Sequence, residues 1–302
     1  GTSPLMAIDF HGSTGNKTND GIIILNRIEE FLIAKGSLSD KVKMILGLLQ
    51  PVFDNSLLWK PKNGVSILKT LYLQVQEEII PLLESPFHLD FSGKILNSLN
   101  DWVSIENDKP NDVVLTPRYV TSFMARLCRT DMNSMVWDTA MGSGGFLVSA
   151  MDIMIRDAQD KIKDKDELAT KIKNIKEKQL LGIEILPNIY ILAVLNMILM
   201  GDGSSKMRYE DSHGFNEEFP ATVFLLNPPY SADGKGFNFV EEALNKMTTG
   251  YAAVLIQENA GAGQGGNYTK RLLQNNTLVC SIHMSEKLFS GKSSVQTAIY
   301  VF

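Results

Sequence analysis

The apolar run Ala221-Thr222-Val223-Phe224-Leu225-Leu226 ends abruptly at Asn227-Pro228-Pro229-Tyr230, and this junction limits the possible folds more than any other stretch of the chain. A run rich in branched and aromatic side chains, without polar alternation, reads as a strand buried on both faces, as in parallel sheets covered by helices. Ligands of open α/β sheets bind beyond the carboxyl ends of the strands. The two prolines fix φ and donate no N–H, so the backbone around Asn227 is stiff and its carbonyls are free to accept. An amide oxygen and a backbone carbonyl can then face one –NH2 group, and Tyr230 offers a flat face to a planar partner. A Pro-Pro turn that merely closes a strand leaves the same trace.

Upstream, Asp138-Thr139-Ala140-Met141-Gly142-Ser143-Gly144-Gly145-Phe146 follows the short apolar run Met135-Val136-Trp137 and opens into the helix-like Leu147-Val148-Ser149-Ala150-Met151. The pattern is strand, glycine loop, helix. Its glycines permit a tight turn and close approach of a ligand to the main chain beside a helix N-terminus, which suits a nucleotide-like cofactor. The spacing G-x-G-G differs from the dinucleotide fingerprint and disfavours a nicotinamide enzyme. A second run, Gln179-Leu180-Leu181-Gly182-Ile183, ends in Glu184, placed either for a ribose diol or as a first-turn charge of the helix near Pro187. Asp202, between Gly201 and Gly203, can accept from an adenine amine or simply form a turn. Glycine loop, Glu184, Asp202 and Asn227 in this order are hard to obtain by accident.

Thr116-Pro117-Arg118-Tyr119-Val120, Asp138 to Phe146 and Asn227 to Tyr230, in this order, resemble the adenine-N6 DNA methyltransferases, most closely the modification subunit of type I restriction-modification systems. The resemblance covers roughly residues 111 to 302 and implies an α/β, Rossmann-like S-adenosylmethionine-dependent methyltransferase fold there, without a metal. It implies that Asp138, Gly142, Ser143, Gly144 and Phe146 line the S-adenosylmethionine pocket, that Glu184 holds the ribose hydroxyls and Asp202 the cofactor adenine, and that Thr116, Pro117 and Tyr119 meet the methionine end. Asn227, Pro228, Pro229 and Tyr230 would hold the target adenine. The segment around Leu288-Phe289-Ser290 is similar to the one whose aromatic residue stacks on the flipped base, which adds Phe289 to Tyr230. The implied partners are DNA and either a specificity subunit, with a restriction subunit beside it, or a carboxyl-terminal recognition region missing from this sequence. Two departures stand out: Asp138-Thr139-Ala140-Met141 replaces the common Asp-Pro-Ala-Cys, and Tyr230 replaces the Phe frequent in type I subunits.

With 302 residues, 44% of them hydrophobic, the chain can bury a full core. Cys128 and Cys280 form no metal spacing, which fits a reduced, cytoplasmic protein; the resemblance makes it bacterial or archaeal. No apolar stretch approaches the roughly 18 residues of a membrane span. The net charge of −5 is unusual for a protein that grips DNA phosphates. Much of the grip is therefore expected from another subunit or from residues missing from this sequence, and the stop at Phe302 inside an apparent strand makes the chain read as a fragment.

Residues 1 to about 20 are rich in Gly, Ser, Thr and Asn and read as partly disordered. Ile22 to Ala34, Ser39 to Leu49, Val65 to Leu83 and Phe91 to Ile105 carry helical periodicity. These make an N-terminal helical domain over 1–110; the catalytic domain would occupy 111–302, truncated at its carboxyl end. His88 and Trp59 read as packing residues. The glycine-rich segment Glu258 to Gly266 lacks the Gly-Lys-Ser/Thr ending of a phosphate loop and reads as a mobile loop, which the resemblance implies lies over the target-base side. The clamp by itself also suits glutamine N5 or cytosine N4 as methyl acceptor, and a non-catalytic cofactor-binding scaffold is a further reading.

Overall fold

Asn19 starts the helical part of the chain: its side-chain oxygen accepts the Ile22 N–H at 3.1 Å and caps helix α1 (Asp20–Ala34), supplying one of the partners that a first turn lacks. The computed structural model describes residues 4–37, 39–83, 116–202, 204–289 and 295–302. The chain divides into two compact units, Gly1–Leu96 and Asn97–Phe302. The boundary expected at 110, the helix expected over 91–105 and His88 lie outside the described residues.

In the first unit α1 is followed by α2 (Ser39–Phe53), α3 (Ser56–Trp59), α4 (Ile67–Gln74) and, through a π turn at Val75–Ile79, α5 (Ile80–Leu83). Ser66 caps α4 by accepting the Lys69 N–H at 3.0 Å, and its hydroxyl donates to the fully buried Asp20. A buried carboxylate requires such a donor. Phe10, Trp59 and Leu68 form the local core, with Tyr72 packed on Phe10 at 4.9 Å between ring centroids. The polar lead that reads as disordered is therefore held: Phe10 is buried and the Tyr72 hydroxyl donates to the Leu5 carbonyl at 2.5 Å.

The second unit is a seven-stranded sheet. Its strands are β1 (Val136–Asp138), β2 (Leu180–Glu184), β3 (Lys206–Tyr209), β4 (Val223–Leu226), β5 (Tyr251–Gln257), β6 (Cys280–His283) and β7 (Thr297–Val301), in the order β3-β2-β1-β4-β5-β7-β6. The pairs from β3 to β5 are parallel, and β7 runs antiparallel to both β5 and β6. The connecting helices are α6 (Arg118–Leu127), α7 (Gly145–Lys161), α8 (Lys165–Lys178), α9 (Pro187–Leu199), α10 (Phe237–Lys246) and α11 (Gly266–Asn275). β1, β2 and β4 are buried along their whole length, as their unbroken apolar runs require. Trp137 packs its ring edge-on to Phe224 at 6.1 Å, and Phe224, Leu181 and Ile183 are fully buried. Each such side chain contributes about 1.5–3 kcal/mol by leaving water.

β1 pairs with β2 on one side and β4 on the other, so the chain leaves it in opposite directions along the sheet. A crevice opens at that switch point, beyond the carboxyl ends. Asp138 ends β1, and Asn227 directly follows β4. The lysines of α8 form a solvated face, with Asp164 capping the helix through the Asp166 and Glu167 N–H groups. Among the described residues no helix is long and apolar enough to cross a membrane, and no group of three or more His, Cys, Asp or Glu could hold a metal ion.

Candidate active site

The glycine loop is laced onto the end of β2. Met141 N–H donates to the Ile183 carbonyl at 2.9 Å and Gly142 N–H to Glu184 Oε2 at 3.1 Å. Gly182 makes this approach possible, because a Cβ there would lie 2.4 Å from Met141 Sδ and 2.6 Å from Leu147 Cδ1. Gly142 and Gly144 have φ of 53° and 76°, and open space surrounds the position a Gly142 Cβ would take. A ligand can therefore meet bare main chain there. Asn196 Nδ2, from α9, fixes the loop by donating to the Ser143 carbonyl at 2.9 Å.

Two acids stand at the strand ends. Glu184 Oε1 accepts the Leu186 N–H at 2.8 Å, so both of its oxygens are oriented by backbone donors. Burial pushes its pKa above the usual range, against the pull of those N–H groups. Asp138 is wholly buried; Oδ1 accepts the Ala140 N–H at 3.2 Å, while Oδ2 has no partner among the described residues. Burial, and then the nearby Glu184 charge, hold its carboxyl well above the ordinary range.

The clamp is oriented from a distant part of the chain. Asn227 Nδ2 donates to the Thr116 hydroxyl at 3.0 Å, which leaves Oδ1 as the free acceptor of that amide. Pro228 is buried against Gly236, and the Pro229 carbonyl accepts the Ala232 N–H at 3.0 Å. Tyr230 backs the clamp with its hydroxyl buried and without a partner among the described residues, and burial pushes that hydroxyl's pKa up.

A cavity of about 350 Å³ joins these parts, within the size range of small-molecule sites. Its wall follows the sheet order: Asn227 and Pro229 after β4, Thr139 and the glycine loop after β1, Glu184 with Ile185 and Leu186 after β2, and Glu210, Asp211, Ser212 and His213 after β3. Thr116, Thr121, Phe146, Ile183, Ser231 and Phe239 complete it.

Of the residues expected from sequence, Thr116, Gly142, Ser143, Phe146, Glu184, Asn227 and Pro229 share this cavity, with Asp138, Gly144, Pro228 and Tyr230 adjoining those residues in the chain but off its wall. Pro117 is the N-cap of α6, and Tyr119 is 69% exposed; neither lines the cavity. Phe289 is buried away from the lining, and no residue of the 258–266 loop reaches it. That loop is also tied down rather than loose: Tyr300 and Thr269 hydroxyls donate to the Glu258 and Gly261 carbonyls at 2.7 Å each.

Asp202 is placed differently from the expectation. It precedes β3, at the amino-terminal side of a strand parallel to β2, and its Oδ1 accepts the Ser204 N–H at 2.8 Å and the Ser205 N–H at 3.3 Å. It is the turn former, and the acids at the carboxyl end of β3 are Glu210 and Asp211. Their sequence signal is Tyr209-Glu210-Asp211-Ser212, directly after the strand. His213 and Phe239 were also missed; their rings lie 4.5 Å apart, and His213 is held by Glu242 at 2.7 Å.

A switch-point crevice walled by a glycine loop and strand-end acids, in a sheet whose β7 alone is reversed, defines the Rossmann-like S-adenosylmethionine-dependent methyltransferase fold class. A chain solved in a structure of the type I R-M system shares this fold with a TM-score of 0.64 at 20% identity, covering 97% of this chain and 61% of that one. Residues 103–236 match the family model of the N-6 DNA Methylase. The chain is 26% identical over 303 residues to the type II restriction enzyme and methyltransferase RM.BcgI of Heyndrickxia coagulans, covering 94% of this chain and 46% of the relative. It is 26% identical over 208 residues to the type I restriction enzyme EcoEI methylase subunit of Escherichia coli, covering 61% of this chain and 40% of the relative. The chain thus spans less than half the length of either relative.

Proposed function

We propose that the chain is the catalytic portion of a restriction-modification methyltransferase that methylates adenine N6 in duplex DNA, with S-adenosylmethionine as donor. The observation that carries this reading is the Thr116–Asn227 hydrogen bond, which leaves an amide oxygen as acceptor in the same cavity as the glycine loop and Glu184. The residues present fit the cofactor. Glu184 has lone pairs for the ribose hydroxyls, Asp211 stands beyond the neighbouring strand for the ring amine, and Gly142 leaves its main chain open.

When bound, S-adenosylmethionine supplies an electrophilic methyl. Asn227 Oδ1 and the Pro228 carbonyl accept hydrogen bonds from the target amine and favour the positive charge that develops on its nitrogen. The base must leave the stack, because its amine is otherwise paired and walled in. No tuned general base is needed, since the proton leaves easily once nitrogen is alkylated. Orientation in a water-poor cavity does the remaining work.

DNA, a specificity subunit and a restriction subunit are the partners of this reading. A net charge of −5 supports a DNA grip shared with them. The test is labelled methyl transfer to unmethylated duplex DNA, with and without a specificity subunit. Asn227→Ala is expected to abolish transfer while S-adenosylhomocysteine binding persists; transfer near the wild-type rate would overturn the assignment. Label in protein instead of DNA would favour a glutamine acceptor, and label in cytosine the N4 reaction. Intact cofactor binding with no label anywhere would favour a scaffold.

A further inference from the structure

The chain leaves the cavity past the clamp with one charge unmatched. Ser231 still lines the wall, and Asp233–Gly236 forms a short turn before α10. From Asp233 to Lys246 the other charged side chains are engaged. Asp233 accepts from the Tyr268 hydroxyl, Arg271 forks onto Glu241 at 2.6 and 2.9 Å, Glu242 meets His213 Nδ1 at 2.7 Å, and the Lys246 ammonium donates to the Phe215 carbonyl. The Lys235 ammonium has no hydrogen-bond or ion-pair partner among the described residues.

The turn itself does not call for a lysine. Gly234, Lys235 and Gly236 have φ of 59°, 61° and 94°, a left-handed run that suits glycine or asparagine and strains a longer side chain. Each glycine answers to a neighbour, for a Cβ on Gly234 would lie 2.6 Å from Tyr268 Cδ2 and one on Gly236 would lie 2.5 Å from Pro228 Cγ. Lys235 is thus pinned, half-buried, between the Tyr268 ring and the clamp that follows β4. Backbone strain of this kind persists where a position has a task.

The substrate supplies the anion that a cation there would meet. A nucleotide swung out of the stack turns about its own backbone and keeps a phosphate on either side of its sugar. With the base on Asn227 and Pro228, those phosphates lie a sugar's width from the clamp, a gap that a lysine stem on the next turn can span. In a chain of net charge −5, an unpaired cation at that point is well placed to take one.

This rests on duplex DNA being the substrate: we propose that the Lys235 ammonium pairs with a backbone phosphate flanking the extruded adenine. The contact reads no sequence and fixes the position of the nucleotide against the clamp.

The experiment uses the assembled methyltransferase, its DNA-reading part included, and compares wild type with Lys235→Asn and Lys235→Arg. Asn accepts the left-handed backbone and removes the charge; Arg keeps the charge. Duplex DNA binding is followed across a salt series, beside calorimetric binding of S-adenosylhomocysteine. On DNA carrying the recognised site, Lys235→Asn is expected to bind about tenfold more weakly, with a double-logarithmic salt slope shallower by about one. Lys235→Arg should keep the wild-type slope, and S-adenosylhomocysteine should bind to each protein alike. An unchanged slope for Lys235→Asn overturns the assignment while leaving the methyltransferase reading intact. Weaker S-adenosylhomocysteine binding at an unchanged slope would put the lysine on the cofactor's carboxylate and overturns it equally. Wild type that neither binds nor methylates duplex DNA overturns the substrate reading, and this assignment with it.

Discussion

Asn227 donates from Nδ2 to the Thr116 hydroxyl at 3.0 Å, joining positions 111 residues apart. An asparagine amide presents either its donor or its acceptor edge to a site, and with Nδ2 on the Thr116 hydroxyl the acceptor edge is the one left over. The clamp therefore depends on a residue that precedes α6 and belongs to no strand.

Thr116→Val removes that partner and lets the amide turn. Transfer is expected to slow by about threefold to tenfold, in line with the net worth of one hydrogen bond. Single-turnover rates at saturating cofactor and DNA measure it directly. An unchanged rate would show that the Asn227 orientation is set elsewhere.

Stability should depend on pH through the two strand-end acids. Asp138 and Glu184 are both raised, burial being the larger cause in each. Between the ordinary unfolded pKa and the raised folded value, the folded state binds more protons, so stability is fullest at the acid side of this window and falls as pH rises through the folded pKa. Asp138→Asn removes one of these charges. The variant is expected to melt higher than wild type at neutral pH and to decline less between about pH 4 and about pH 8. Parallel melting curves for the two proteins across that range would refute it.

Gly236 holds the other side of the clamp. Its φ is 94°, and a Cβ there would lie 2.5 Å from Pro228 Cγ and 2.7 Å from Pro228 Cβ. A proline ring in a fixed backbone cannot step aside, so Gly236→Ala combines overpacking with an unfavourable φ. A loss of about 2–3 kcal/mol is expected, with transfer falling further than cofactor affinity. Denaturant melts and calorimetry separate the two effects; a variant as stable as wild type would sink the prediction.

How far the sequence disclosed this site depended on burial. β1, β2 and β4 are central strands and read as unbroken apolar runs, so the residues just past them, the glycine loop, Glu184 and Asn227, were located correctly relative to the sheet. β3 is an edge strand, Lys206-Met207-Arg208-Tyr209, in which only Met207 is buried. Its cations pair with Glu217, Lys206 at 2.9 Å and Arg208 at 2.6 Å. A strand so charged leaves no apolar signal, and Asp202, after the strongly apolar α9, took the place that belongs to Glu210 and Asp211. The Thr116 contact was invisible for a different reason: hydrogen bonding across 111 positions has no local pattern. Phe10 shows the converse, one aromatic side chain outweighing the polar composition around it.

The cavity wall is a ruler. Its polar groups hang on four consecutive strands, from β4 through β1 and β2 to β3, and adjacent strands lie about 4.8 Å apart. The site thus measures roughly 14 Å from amine clamp to strand-end acids, a length set by main-chain hydrogen bonding and not by any side chain. Point substitutions can retune which atoms are met along that line. A substantially longer or shorter cofactor would require a strand to be gained or lost, which ties the chemical length of the ligand to the topology of the sheet.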